Sequence, residues 1–226
     1  MVFPISVLVL SLLPGFVWLT FFWEEEDAHP EPRNLIALVF ISGMISAIIV
    51  ALVGKAITEY YFATIAEPSF LYILITASLE EIGKFLFIAL FVSRLRAFDE
   101  PVDAMVYMVV GALGFATLEN IAYLSKEAEV SNMLGNVAQI ASLRFVGSTL
   151  LHALCSGTLG YFWALSIRHF RHPSYLILGV TLAITLHTYF NYLIITYGSM
   201  FFVLPLLLVS GFFVLSDFEE LRWRSV

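Results

Sequence analysis

The chain has 226 residues, 60% of them hydrophobic and only 13% charged, with a mean hydropathy of +0.92 and a formal net charge of −7. That balance is far too apolar for a soluble domain of this length, so residues 1–226 read as a single integral membrane domain. Missing basic stripes exclude nucleic acid as a partner, and the single Cys155 excludes an intrachain disulfide.

Apolar runs fall at residues 2–22, 35–54, 70–92, 104–124, 139–166, 174–196 and 200–216. A bilayer-spanning helix needs about 20 residues, and no run alternates as a barrel strand would. The sequence predicts an all-α, polytopic transmembrane helical bundle of about seven spans in the cell membrane. The first run lacks a basic n-region and an A-x-A cleavage site and so reads as a retained span rather than a signal peptide. The linker after it, WEEEDAHPEPRN, holds an acidic cluster and two prolines that forbid a continuous helix. Counting basic residues sets the orientation: Arg33, Arg94, Arg96, Arg168, Arg171, Arg222 and Arg224 lie on one side and Lys55 and Lys126 on the other. The positive-inside rule then places the N-terminus outside and the C-terminus in the cytoplasm. No internal repeat or matched pair of Gly/Pro-broken spans is evident, which weighs against an inverted-repeat transporter.

The third run carries Thr76-Ala-Ser-Leu-Glu-Glu-Ile-Gly-Lys84 in its middle. An ionisable group at that depth costs about 2.5–3.5 kcal/mol on insertion scales, so three within five positions point to a function. Helical spacing makes Lys84 a neighbour of Glu80 at i,i+4 and of Glu81 at i,i+3, which leaves one glutamate over. In the fourth run Phe115, Glu119 and Tyr123 follow each other at four-residue steps, and Gly111 and Gly114 allow close helix approach. The fifth run presents Arg144, Ser148 and His152 at i, i+4 and i+8; the sixth presents His187 and Asn191 at i,i+4. Counting 1.5 Å per residue from the outer end of each run puts Glu119 and Arg144 roughly 8 Å deep, Glu80 and His187 roughly 15 Å and His152 roughly 20 Å. Four spans thus offer these groups to a shared cavity in the outer half of the bilayer.

Such a set supports hydrolysis by two routes. A buried glutamate can act as general base on a water, with a histidine assisting and the Asn191 amide holding the oxyanion. Alternatively, Glu81, Glu119, His152 and His187 can bind a Zn²⁺ that activates the water, although no HExxH is present. Neither Ser148 nor Ser156 sits in a G-x-S-x-G setting, which disfavours a serine nucleophile.

The residues EEIGK, GFATLEN with Tyr123, the segment of Arg144 and His152, HTYFN, and the linkers HPEPRN and FDEPVD together resemble the PrsW family of intramembrane proteases over about residues 14–195. The wider superfamily to which that family is similar includes type II CAAX prenyl endopeptidases and bacteriocin-processing membrane proteases. This resemblance implies a glutamate-activated water with no required cofactor, Glu80 and Glu81 as the paired glutamates, Lys84 as their basic residue, and His187 and Asn191 as the last motif. Phe115 and Glu119 match the second motif with Glu where the CAAX branch has His, so His152 supplies the missing imidazole. The implied substrate is a single-pass membrane protein such as an anti-sigma factor, cut at site one in stress signalling.

The reading is therefore an intramembrane endopeptidase with Glu80, Glu81, Glu119, His152, His187 and Asn191 at the site and Lys84 and Arg144 as electrostatic support. A proton- or cation-coupled transporter using the same acids and imidazoles is the alternative from another class.

Overall fold

The computed structural model describes residues 5–24, 31–61, 69–131, 134–169 and 172–223. All the described elements are helical: α1 (Ile5–Glu24), α2 (Arg33–Tyr61), α3 (Phe70–Val92), α4 (Pro101–Ser131), α5 (Leu134–Arg144), α6 (Leu150–Arg168), α7 (Pro173–Tyr197) and α8 (Leu204–Trp223). A π turn, Phe145–Thr149, joins α5 to α6 without a break, so the two form one long rod; a short 3₁₀ turn, Met200–Phe202, precedes α8. Six rods are long and apolar enough to cross a membrane: α1, α2, α4, α5–α6, α7 and α8. The seventh, α3, spans the run predicted for it and carries Glu80, Glu81 and Lys84. Much of the acidic linker, residues 62–68, Arg171 and Arg224 lie outside the described residues.

Local sequence sets the helix ends. Ser69 caps α3 by accepting the N–H of Tyr72 at 3.2 Å, and the Asp103 carboxylate accepts the N–H groups of Asp99 and Glu100 where α4 begins. Pro173 opens α7, and Gly198 closes it at φ 62°, a left-handed conformation that glycine adopts without a Cβ clash.

The hub is α4, 89% buried along its membrane window against 28% for α1 and 22% for α8. The exposed faces of α1, α2 and α8 carry Leu13, Phe16, Ile41, Ile48, Leu208 and Phe212, the pattern of a lipid-facing surface. Glycine lets α2 lie directly on α4. A Cβ at Gly43 would stand 1.9 Å from the Gly111 carbonyl oxygen, and one at Gly114 would stand 2.0 Å from that of Phe40. Beyond this crossing the C-terminal half of α2 leads away from it, and a cavity opens there.

Two expected positions change. The fourth rod runs seven residues past the predicted end at 124, and the fifth begins five residues before the predicted start at 139. Residue counting from the ends of the apolar runs puts Glu119 and His152 about 12 Å apart in depth, and the longer helices reduce that by only about 3 Å. The two side chains are in fact hydrogen-bonded. The contact fixes the level, because the helix ends do not mark the edge of the bilayer.

At the opposite end of the bundle Glu31 is buried ahead of α2 and accepts a hydrogen bond from the Tyr107 hydroxyl. Burial pushes its carboxyl above the usual carboxylate range, opposed by hydrogen bonds from Tyr107 and Asp103 and assisted by the charges of Asp99 and Glu100. The folded state therefore holds a proton more tightly than the unfolded chain. Stability from this group is complete below the unfolded value and is lost as pH rises through the folded one. Thermal unfolding in detergent should show the wild-type midpoint falling from mildly acidic to mildly alkaline buffer, and Glu31→Gln, which keeps an acceptor for Tyr107, should flatten that slope.

Candidate active site

Every fourth or third residue of α3 faces inward: Ile73, Ala77, Glu81, Lys84, Ile88 and Val92 are its buried positions. The inward stripe thus contains a carboxylate and an ammonium one turn apart. Lys84 Nζ donates to Glu81 Oε1 at 2.7 Å, and neither side chain is more than 1% exposed. Of the two pairings open to the sequence, the i,i+3 pair forms, and Glu80 is the glutamate left over.

The pair anchors a chain of contacts through α6, α4 and α7. Lys84 Nζ also lies 3.0 Å from His152 Nδ1. Lysine has donors only, so Nδ1 accepts, Nε2 carries the proton, and that N–H is donated to Glu119 Oε2 at 2.8 Å. Glu81 Oε1 receives a second donor, His187 Nδ1, at 2.6 Å. The other nitrogen, His187 Nε2, then faces Glu80 Oε2 at 3.7 Å, too far for a direct hydrogen bond. Glu80 Oε2 is buried and has no hydrogen-bond partner among the described residues. The two imidazoles meet edge to face at 5.1 Å, and the Phe115 ring covers both His152 and Lys84.

Glu119 is gripped from a second side. Arg144 Nη2 lies 3.2 Å from its Oε2, Arg144 Nε donates to Asn120 Oδ1 at 2.6 Å, and Nη2 donates to Ser148 Oγ. The guanidinium stacks 4.6 Å from the Tyr123 ring centroid. Asn120 in turn donates to Thr149 Oγ1 at 3.0 Å. The sequence showed Asn120 only as the residue after Glu119, and its position one step from an intramembrane acid was the signal available. Glu80, Glu81, Lys84, Glu119, Arg144, His152 and His187 therefore converge. Asn191, one turn beyond His187 on α7 and half-buried, makes no hydrogen bond in this network among the described residues.

An open cavity of about 800 Å³ reaches this cluster between the C-terminal half of α2 and α4, with the start of α3 as its floor. Ala47, Ala51, Thr76 and Leu79 line it, and at its inner end stand Glu80, Phe115 and Glu119. The side chains of Glu80 and Glu119 are 24% and 38% exposed, that of Glu81 is 0% exposed, and the histidines lie behind. A molecule in the cavity meets two carboxylates first.

A model of one protein family, described as PrsW family intramembrane metalloprotease, matches residues 31–216. The chain belongs to the PrsW family. Similar proteins named Protease PrsW include one from Geobacillus kaustophilus (strain HTA426), 30% identical over 161 residues, or 70% of this chain and 65% of that protein. Another, from Oceanobacillus iheyensis, is 28% identical over 202 residues and 88% of each chain; a third, from Clostridioides difficile (strain 630), is 25% identical over 195 residues, 84% of this chain and 79% of that one. The matched stretch thus covers just under two thirds of the Geobacillus protein. No solved structure matches the chain.

The description metalloprotease raises the question whether these residues suit a divalent ion. One donor atom each from Glu80, His152 and His187 lie within 4.8 Å of one another, and Glu80 supplies a buried oxygen without a protein partner. Glu81 fixes the His187 ring through Nδ1, the usual outer support of a metal-bound imidazole. A second grouping, Glu81, Cys155 and His187, includes the carboxylate oxygen already held by the Lys84 ammonium. The second grouping therefore does not fit a divalent ion; the first offers Glu80 Oε2 and His187 Nε2 as open donors, while His152, held by Lys84 at Nδ1 and by Glu119 at Nε2, could join them only by giving up one of those contacts. Of the set Glu81, Glu119, His152 and His187 expected from sequence, His152 and His187 fall in the first grouping and Glu81 and His187 in the second.

Proposed function

We propose that this PrsW-family member is an intramembrane endopeptidase that hydrolyses a peptide bond in a single-pass membrane protein, with Glu80 as the general base. The supporting observation is that Glu80 Oε2 and His187 Nε2 stand 3.7 Å apart without bonding to each other, and that Glu80 Oε2 has no hydrogen-bond partner among the described residues. A water at hydrogen-bond distance of both, about 2.8 Å, could donate a hydrogen to each and turn a lone pair toward the cavity. Peptide approach along the α2–α4 cavity brings the carbonyl carbon to that lone pair. Glu80 takes the proton as the C–O bond forms, and the protonated group returns it to the leaving amine as the C–N bond breaks. Asn191, on the His187 face of α7, is the proposed donor to the oxyanion, and the Arg144–Glu119–His152 contacts hold the cavity's inner end in place.

Should an ion be bound, Glu80 and His187 Nε2 would hold it, with His152 joining only on release of Lys84 or Glu119, and it would lower the pKa of the attacking water. Glu81 keeps one role on either route, since its carboxylate orients His187 and neutralises Lys84. An anti-sigma-factor-like protein cut at site one is the substrate class proposed. Apolar walls suit a membrane segment better than a soluble peptide.

Purified protein in proteoliposomes, offered a panel of single-pass membrane proteins, tests the reading. The expected result is a new N-terminus within or next to the substrate's span, absent with His187→Ala; loss with 1,10-phenanthroline and return with Zn²⁺ would assign the ion-dependent route. If nothing is cleaved and a proton or cation flux requires Glu80, the transporter reading replaces this one.

A further inference from the structure

Arg144 and His152 both contact Glu119 Oε2 although eight residues separate them. In an unbroken α-helix eight residues turn through about 800°, which leaves the two side chains about 80° apart. The π turn between them absorbs one residue, so the phase is that of about seven α-helical positions, roughly 20° from alignment. The wide turn is what brings the Arg144 guanidinium and the His152 N–H onto one oxygen.

A π turn lengthens the backbone loop and loosens its carbonyls, and here one of them is claimed from outside. The indole Nε1 of Trp18, on α1, donates to the Phe145 carbonyl at 3.0 Å, and the two rings stack at 5.7 Å with 25° between their planes. Phe145 is the first residue of the π turn and follows Arg144 directly. The same helix is seated against α4 nearby: a Cβ at Gly15 would meet Thr117 Oγ1 at 2.1 Å, and Ser11 Oγ lies 3.5 Å from the Asn120 carbonyl. The family model matches residues 31–216, a range that does not include α1.

We propose that Trp18 is a positioning residue for the site: its indole N–H holds the π turn open, and through it sets Arg144 and His152 together on Glu119. The kinetic part rests on the peptidase reading above; the spectroscopic part does not. Trp18→Phe keeps a stacking ring and removes the donor, and Trp18→Tyr is a second ring-retaining variant without the indole N–H. In the full chain, in detergent, the expected result is a kcat lowered about tenfold with KM within about twofold, because misplacement of a catalytic constellation costs rate rather than binding. With ¹⁵N-arginine labelling, the Arg144 Nε–H resonance, assigned by its loss in Arg144→Lys, should shift and exchange faster with solvent in both Trp18 variants. An unchanged Arg144 resonance overturns the proposal whether or not the wild type cleaves a peptide. So does a lowered melting temperature with kcat unchanged, which would mark Trp18 as packing only.

Discussion

Lys84→Met is expected to be the most destabilising single substitution in the chain. Lys84 is fully buried, and its ammonium touches Glu81 Oε1 at 2.7 Å and His152 Nδ1 at 3.0 Å. Methionine fills nearly the same volume, so the packing around Phe115 survives. What is lost is the charge, leaving Glu81 buried with only the His187 N–H to answer it. Removing one partner of a buried pair costs about 3–5 kcal/mol, because the other charge stays uncompensated. The double variant Lys84→Met with Glu81→Leu removes both charges and should recover much of the melting temperature. It should not recover activity, since His187 then has no carboxylate to fix its ring. Thermal unfolding of the three proteins in one detergent checks the order: wild type highest, Lys84→Met lowest, the double variant between.

Glu80→Gln is expected to have the largest effect on activity, with kcat falling by about 10²–10⁴-fold, the usual contribution of a positioned general base. Its neighbour behaves differently. Glu80 Oε2 makes no protein hydrogen bond and the side chain is partly exposed to the cavity, so the amide replaces it with little effect on folding. Glu81 Oε1 accepts from both Lys84 and His187, and Glu81→Gln should lower the melting temperature as well as the rate. A rate measured beside a melting curve therefore separates a base from a scaffold.

The architecture was legible because membrane insertion leaves few choices: α3 occupies residues 70–92 as its apolar run predicts, and every other rod overlaps its predicted run. Helix spacing also identified the faces that matter, since Glu81, Lys84, His152 and His187 all point inward. Spacing could not decide which glutamate pairs with Lys84. That depended on α3's rotation against α4, α6 and α7, which puts Glu81 in the interior stripe and Glu80 at the cavity. Depth was misjudged at Glu119 and His152 because counting along each run from its end takes no account of where the helices cross, and the two side chains are hydrogen-bonded. Nor did Trp18 carry any signal in sequence; its partner is a backbone carbonyl 127 positions away, and a π turn has no residue code.

The proposed role of Glu80 is to activate the water that breaks the peptide bond. It is tested most directly by incubating one single-pass substrate with wild type and with Glu80→Gln in matched proteoliposomes and weighing the products. The wild type should give two fragments whose masses sum to the substrate plus one water, and a Glu80→Gln protein that melts like the wild type should give none. The same two fragments formed at a similar rate by Glu80→Gln would contradict it.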